Sequence, residues 1–373
     1  MASSVGVWLE SENIDDIDVN LEVHVNYWSL AKDEINYLDV GIKLIRDKHT
    51  SDNTELYQKL ESVNIYLPFE KKHIEYDSEL GFMVCKDQEL LSAIFNSYIE
   101  EYSHMNDSGI HNITLPDGEE LSFFTQIDLK NGDGLEGVKL TELIDKKENG
   151  TLLSFPGALF KVAKGNVKNS VYFRFRIKLL DEKAIRRIST ITKPKYSVLL
   201  GDLNKTEIVD FRLNEARNLP FKIRAKVNSS KPLNTIHFFL IREAISDFKA
   251  SHSNYKRCRV LETDIWDKYL GLDDTKSQYL IYHWSEKAKD TSRSFIDHFS
   301  AFAKFTSNQV SIRLVLVVIF VTFMIGVVSG VFGNLFWHKL TSDKDIEWNL
   351  SRTEHQVVPN LPQSMYWPPT YKG

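Results

Sequence analysis

The chain has 373 residues and a formal charge of −5, from 46 basic and 51 acidic side chains, which excludes a protein that binds nucleic acid or anionic lipid through bulk positive charge. Hydrophobic residues make up 42% and charged ones 26%, with plentiful aromatics, so a disordered chain is excluded and two or three globular domains with real cores are expected. Cys85 and Cys258 are the only cysteines and neither lies in a CxxC pair, which excludes a disulfide-stapled scaffold.

The opening residues 1–18 are acidic and hold no apolar core of signal-peptide length, so the region that follows is expected in the cytosol. "VNLEVHVNY", 19–27, alternates strictly. Val19, Leu21, Val23, Val25 and Tyr27 face one way, and Asn20, Glu22, His24 and Asn26 the other, as in a half-buried strand. "YLDVGIKLI" (37–45) and "SVNIYLPF" (62–69) repeat the pattern. In "DQELLSAIFNSYIEEY" (87–102) the period changes: Leu91, Ile94, Phe95, Tyr98 and Tyr102 share a helical face, with Asp87 as N-cap. The polar break "MNDSG" closes a first β-rich domain, 1–108.

"ITLPDGEELSFF" predicts a hairpin around Pro116-Asp117-Gly118. "GTLLSFPGALFKV" predicts an extended pair around Pro156-Gly157. "VYFRFRIKLL" (171–180) is the clearest strand, with Phe173, Phe175 and Ile177 inward and Tyr172, Arg174, Arg176 and Lys178 outward. "TEIVDFRL" and "FKIRAKV" predict two further strands. These complete a second β-rich domain, 109–232, and short strands between turn signals point to two antiparallel β-sandwich-like domains in a mainly β (α+β) chain.

From 233 to 310 the texture is mixed, and a mixed α/β, partly helical juxtamembrane region is expected. "TIHFFLIREAISDFKAS" starts as strand and ends as helix, while "TDIWDKYLGL" and "QYLIYHWSEKAKD" read as short helices. "TSRSFIDHFSAFAKFTSNQ" places Phe295, Phe299, Phe302 and Phe305 on one helical face. Leu314–Trp337 then carries no charge at all. As a helix it covers roughly 36 Å, enough to cross a hydrocarbon core of about 30 Å. A transmembrane helix is therefore expected at 311–338, bordered by Arg313 and by Trp337, His338 and Lys339. Gly326 and Gly330, and Ser329 and Gly333, lie four apart, a spacing that lets two helix backbones pack closely. The tail, 339–373, is rich in proline and expected to be extended.

No nucleophile elbow, P-loop, dinucleotide fingerprint or zinc-helix motif occurs, so no catalytic residue, metal or cofactor is assigned. Cys258 lies between Arg257 and Arg259, which would lower its pKa, but reads as a structural cysteine. The densest polar cluster is "DFRLNEARNLPFKIRAK". Arg212, Asn214, Glu215 and Arg217 there, with Arg174 and Arg176, form the candidate ligand-binding set, since guanidinium forks suit phosphate and carboxylate. The expected protein is a single-pass membrane-anchored sensor, effector or adaptor without catalysis. Its partners would be the bilayer, an unknown protein or anionic ligand, and a second copy through the span. The architecture is of a kind found in bacterial defence, which favours the bacterial inner membrane. A membrane-anchored hydrolase or nuclease with dispersed residues, and an anchoring subunit of a larger complex, are the alternatives.

Overall fold

Strict alternation becomes strand wherever one side of the chain has a core to face. The computed structural model describes residues 3–353, apart from 15–16, 18, 31–34, 47–58, 104–108, 126, 130–136, 145–148, 162–167, 169, 193–203, 232, 273–277, 289–294 and 309–311. In chain order the first elements are β1 (Gly6–Ser11), β2 (Val19–Leu30), β3 (Ile35–Arg46), β4 (Leu60–Leu67), β5 (Ile74–Asp77), α1 (Glu79–Cys85), α2 (Gln88–Phe95) and β6 (Glu101–Tyr102). Then come β7 (Ile110–Thr114), β8 (Glu120–Phe124), β9 (Lys139–Leu143), β10 (Gly150–Pro156), α3 (Ala158–Lys161), β11 (Ser170–Leu179), α4 (Glu182–Ile185), β12 (Ser189–Thr192) and β13 (Asn204–Leu213). The last are α5 (Phe221–Asn228), β14 (Leu233–Glu243), β15 (Asp247–Ser251), β16 (Arg257–Val260), α6 (Thr263–Leu270), β17 (Tyr279–Lys287), β18 (Phe299–Asn308) and α7 (Ile312–Thr353).

A ten-stranded sheet runs β16-β17-β14-β2-β3-β11-β8-β7-β6, with β5 also on β11. It is antiparallel except where β14 meets β2 and β11 meets β8. Two four-stranded sheets, β1-β4-β10-β9 and β12-β13-β18-β15, complete the β structure. One face of the large sheet supplies Leu21, Val23, Val25, Val40, Ile42, Phe173, Phe175 and Phe238 to an apolar core. The small sheets answer with Val7, Val63, Ile65, Phe155, Phe211 and Phe305. On the other face, helices α1, α2 and α6 cover a second core of Trp28, Leu80, Leu91, Phe123, Trp266, Tyr269 and Tyr279.

The expected boundaries at 108 and 232 do not separate units, because strands from all three segments pair within the large sheet. Residues Met1–Gln309 cluster as one unit and Val310–Gly373 as another. Long-range pairing such as β2 with β14 leaves no local trace in composition, and residues 105–108 of the polar break lie outside those described.

Four local predictions fail for identifiable reasons. "FKIRAKV" is helix α5: its Ile223 and the preceding Leu219 pack on Trp8 and Tyr66. Gly6 of β1 admits them, since a Cβ there would lie 3.2 Å from Ile223 Cγ2. "QYLIYHWSEKAKD" is β17, whose two sides both face apolar cores (Leu280, Tyr282 and Trp284 on one, Tyr279 and Ile281 on the other), which erases alternation. The phenylalanine-rich segment is β18: the buried positions are Phe299, Ala301, Ala303 and Phe305, at period two, and the small alanines hide that period. The segment after Ile245 is strand β15, not helix. Among the described residues, the region 233–310 is thus mostly strand.

Smaller differences follow the same logic. Asp87 caps α2 as expected, accepting from the backbone N–H groups of Glu89 and Leu90. The helix stops at Asn96, in the left-handed region at φ 49°, so Tyr98 is 70% exposed instead of continuing the apolar stripe. After Gly157 the chain forms α3 in place of a returning strand.

The C-terminal unit holds α7, within which Val315–Thr341 is long and apolar enough to cross a membrane, its most apolar 18-residue stretch having a mean hydropathy of 2.8. The helix continues to Thr353, past the expected end of the span at 338, and residues 354–373 of the expected tail lie outside those described. Added Cβ atoms at Gly326, Gly330 and Gly333 would meet open space.

Candidate functional site

The polar side of β2 lies under the helical cover. Register sets Glu22 opposite Lys43 and His24 opposite Gly41 on β3, with His24 also opposite His237 on β14. Arg174 on β11 is the other neighbour of Gly41. Phe239 on β14 pairs with His283 on β17, and His283 with Arg257 on β16. Since residues directly opposite share a sheet face, these side chains form one polar and aromatic floor. The helices leave a cleft of about 540 Å³ above it, walled by Phe95, Asn96 and Trp266 and lined also by Lys256 and Arg259.

Two arginines, read from sequence as solvent-facing, are buried at 1% (Arg174) and 4% (Arg176) exposure because α6 closes over them. Arg176 is neutralised: its Nε and Nη2 donate to Asp39 Oδ1 and Oδ2 at 2.7 and 3.2 Å. Asp39 also accepts from Trp28 Nε1 at 2.8 Å and Tyr269 Oη at 2.7 Å. Among the described residues Arg174 has only hydroxyl hydrogen-bond partners, Tyr269 through Nε and Tyr172 through Nη1, both at 3.0 Å. Among the described residues its Nη2 has no partner, and neither has Nε1 of Trp266, which is 2% exposed and lines the same cleft. Burial works against the Arg174 charge, but the oxygens of Tyr269, Tyr172 and Asp39 outweigh it and hold the group protonated. A buried cation bonded by no carboxylate is costly unless something else supplies the negative charge.

The remaining floor is rich in imidazole. His24 Nε2 lies 2.6 Å from Glu22 Oε1, and His237 Nδ1 lies 2.9 Å from His283 Nε2. Phe239 stacks on His283 with ring centroids 4.3 Å apart. One donor atom from each of Glu22, His24 and His237 falls within 4.8 Å of the others. Burial opposes the Glu22 charge, yet the His24 hydrogen bond and the nearby cations pull its pKa to about 2. Burial, with the neighbouring His24 and Lys256, lowers His237 to about 4. Burial and the neighbouring His237, Lys256 and Arg257 lower His283 to about 3. One carboxylate and two imidazoles are donor types that ligate metals.

The structure does not bring the six predicted ligand residues together. Arg174 lines this cleft, whereas Arg176 lines a separate cavity of about 630 Å³ with Tyr37, Asp77 and Lys178. Asn214, Glu215 and Arg217 border a third, of about 560 Å³. The polar groups in that loop bind one another: Arg212 bridges Asp210 and Glu215, each at 2.8 Å, and Arg217 adds a bond to Glu215 at 2.9 Å. Asn214, in the left-handed region at φ 55°, accepts from the Val7 N–H at 2.8 Å and so clamps β1. Arg257 and Arg259 do not activate Cys258, because alternation turns them to the other side of β16; burial raises its thiol pKa.

Sequence reasoning missed His237, His283, Trp266 and the metal-ligating geometry. Glu22 and His24 were visible as the polar side of a strand, but their partners lie on strands with no sequence proximity. No protein-family model matches the chain, and neither a curated protein nor a solved structure does.

Proposed function

We propose that this is a single-pass membrane-anchored receptor whose β-rich unit takes a small phosphate- or carboxylate-bearing ligand into the cleft over Arg174. The carrying observation is that buried guanidinium, which among the described residues has two tyrosine hydroxyls, a free Nη2 and no carboxylate bond. Trp266 Nε1 is a second buried donor without a partner in the same cleft, and an anion supplies acceptors to both. Lys256, Arg257 and Arg259 line the cleft and attract an anionic ligand, while the stacked Phe239 and His283 offer a flat apolar surface.

The span Val315–Thr341 anchors the unit, and the face carrying Gly326, Ser329, Gly330 and Gly333 pairs two copies. The β-rich unit is placed in the cytoplasm, with a bacterial inner membrane favoured by architecture alone. The protein then acts without catalysis, as a sensor or adaptor. The test is thermal-shift screening of the full chain in detergent against nucleotides, sugar phosphates and dicarboxylates. A ligand that raises the melting temperature of the wild type and does nothing to Arg174→Met supports the reading. No shift from any anion, or a shift that survives Arg174→Met, removes it.

A metal-assisted hydrolase is the second reading, favoured by the Glu22, His24 and His237 cluster in the same cleft. Turnover of the bound anion, rather than its release unchanged, distinguishes it from the receptor.

A further inference from the structure

We propose that Glu22, His24 and His237 hold one divalent transition-metal ion of the zinc class on the floor of the cleft, with His283 orienting His237. Three observations converge on this. First, the donors come from adjacent strands of one sheet, with Glu22 and His24 two apart on the same side of β2 and His24 directly opposite His237. Such positions are rigid, which suits a ligand set. Their donor atoms lie within 4.8 Å of one another. Donors about 2.0–2.1 Å from a tetrahedral zinc are about 3.4 Å apart, so small side-chain rotations close the set.

Second, the donor types match. Imidazole and carboxylate suit zinc and its neighbours, whereas calcium and magnesium take oxygen ligands. The nearby cation Lys43 is no obstacle, since both oxygens of Glu119 engage its ammonium, at 2.7 and 2.9 Å.

Third, the set has an outer partner. The 2.9 Å contact between His237 Nδ1 and His283 Nε2 fixes the tautomer and tilt of a ligating imidazole, as outer partners of metal-bound histidines do. Phe239, stacked on His283, holds that partner in place. Three protein donors leave a fourth position, the arrangement of zinc sites that bind a further ligand. The ion requires no anion in the cleft, so this proposal and the receptor reading fail separately.

The test uses the full chain in detergent, purified without a histidine tag, stripped with a chelator, and reloaded with Zn²⁺ or Co²⁺. One zinc per chain after desalting is expected, with the visible absorption of four-coordinate Co²⁺. His24→Asn and His237→Asn are expected to weaken zinc binding by roughly 100-fold or more, and His283→Ala by roughly tenfold. Glu22→Gln, nearly isosteric, guards against misfolding: its apo form keeps the far-ultraviolet circular dichroism of the wild type and a cooperative melt but loses the four-coordinate Co²⁺ spectrum. Failure of the wild type to retain zinc overturns the proposal. So does full retention by both asparagine variants, or a Co²⁺ spectrum unchanged in Glu22→Gln.

Discussion

Asp39 clasps Arg176 in a two-bond fork, Nε to Oδ1 at 2.7 Å and Nη2 to Oδ2 at 3.2 Å, while Arg174, two residues along the same strand face, has no such acid. The pair therefore separates a structural cation from a cation held in reserve. Asp39→Asn is expected to destabilise the β-rich unit by about 3–5 kcal/mol, because it strands the Arg176 charge in the core. Urea unfolding measures this. Arg176→Met in the Asp39→Asn background is expected to recover most of the loss, since the uncompensated charge is then gone.

Arg174→Met is expected to behave in the opposite way. It removes a buried cation that no carboxylate bonds, so stability is kept or raised by about 1 kcal/mol, while anion binding in the cleft disappears. Melting temperature and ligand titration on the same preparation check both halves. A large destabilisation would mean that Arg174 is a structural pillar through Tyr172 and Tyr269, not a ligand group.

Gly41 explains how Tyr172 reaches Arg174. A Cβ at Gly41 would collide with the Tyr172 hydroxyl and lie 2.7 Å from its ring carbon Cζ. Gly41→Ala is therefore expected to push the ring aside, cost about 1–3 kcal/mol, and loosen the bond that Arg174 Nη1 makes to that hydroxyl. Weaker anion affinity at unchanged metal content is the distinguishing result, because Gly41 lies between Arg174 and His24 and supplies no ligand atom.

The histidine pair makes stability depend on pH. His237 and His283 stay neutral in the fold down to about 4 and about 3, while the unfolded chain takes up protons on both near the ordinary value of 6.5. The unfolded state thus binds more protons below 6.5, and stability falls as pH drops from 6.5 towards 4. Glu22, lowered to about 2, adds a loss of the same sign below its ordinary 4.5. Glu119, Lys43, His24, Lys256 and Arg257 also line the cleft, and solvent screens this half-buried pair, so a slope of about 1 kcal/mol per pH unit is expected. Urea midpoints at pH 7, 6 and 5 measure it. Replacing both His237 and His283 with Gln flattens the profile.

Particular residues show why only part of this was legible. The inward set of β11 and the polar set of β2 follow from period two, and both are found where the alternation places them. Arg174 and Arg176 were assigned correctly to one strand face but to the wrong environment, because the cover over that face comes from α1, α2 and α6, and α6 starts nearly ninety residues later (263 against 176). His237 and His283 sit on strands with mixed patterns, one of which read as helix. Their meeting with Glu22 and His24 depends on a parallel pairing of β14 with β2, and sequence spacing carries no record of it.

The membrane helix offers the last prediction. Thr322, Ser329 and Asn334 are the polar side chains within Leu314–Trp337, and Thr322 Oγ1 donates to the Val318 carbonyl at 2.8 Å, satisfying itself within the helix. Hydrogen bonds across a helix pair are thus limited to Ser329 and Asn334, and close backbone approach must supply most of the association. Gly326 and Gly330 leave their side of the helix open to that approach, with no atom near an added Cβ. Leucine at both positions fills the groove while keeping the span apolar, so insertion is preserved and only pairing suffers. Energy transfer between labelled copies in lipid vesicles is expected to report association weakened roughly tenfold in the Gly326→Leu, Gly330→Leu double variant. Val317→Leu and Val321→Leu serve as a control of equal apolarity. Equal transfer in both variants would show that the helix anchors the β-rich unit and does not pair.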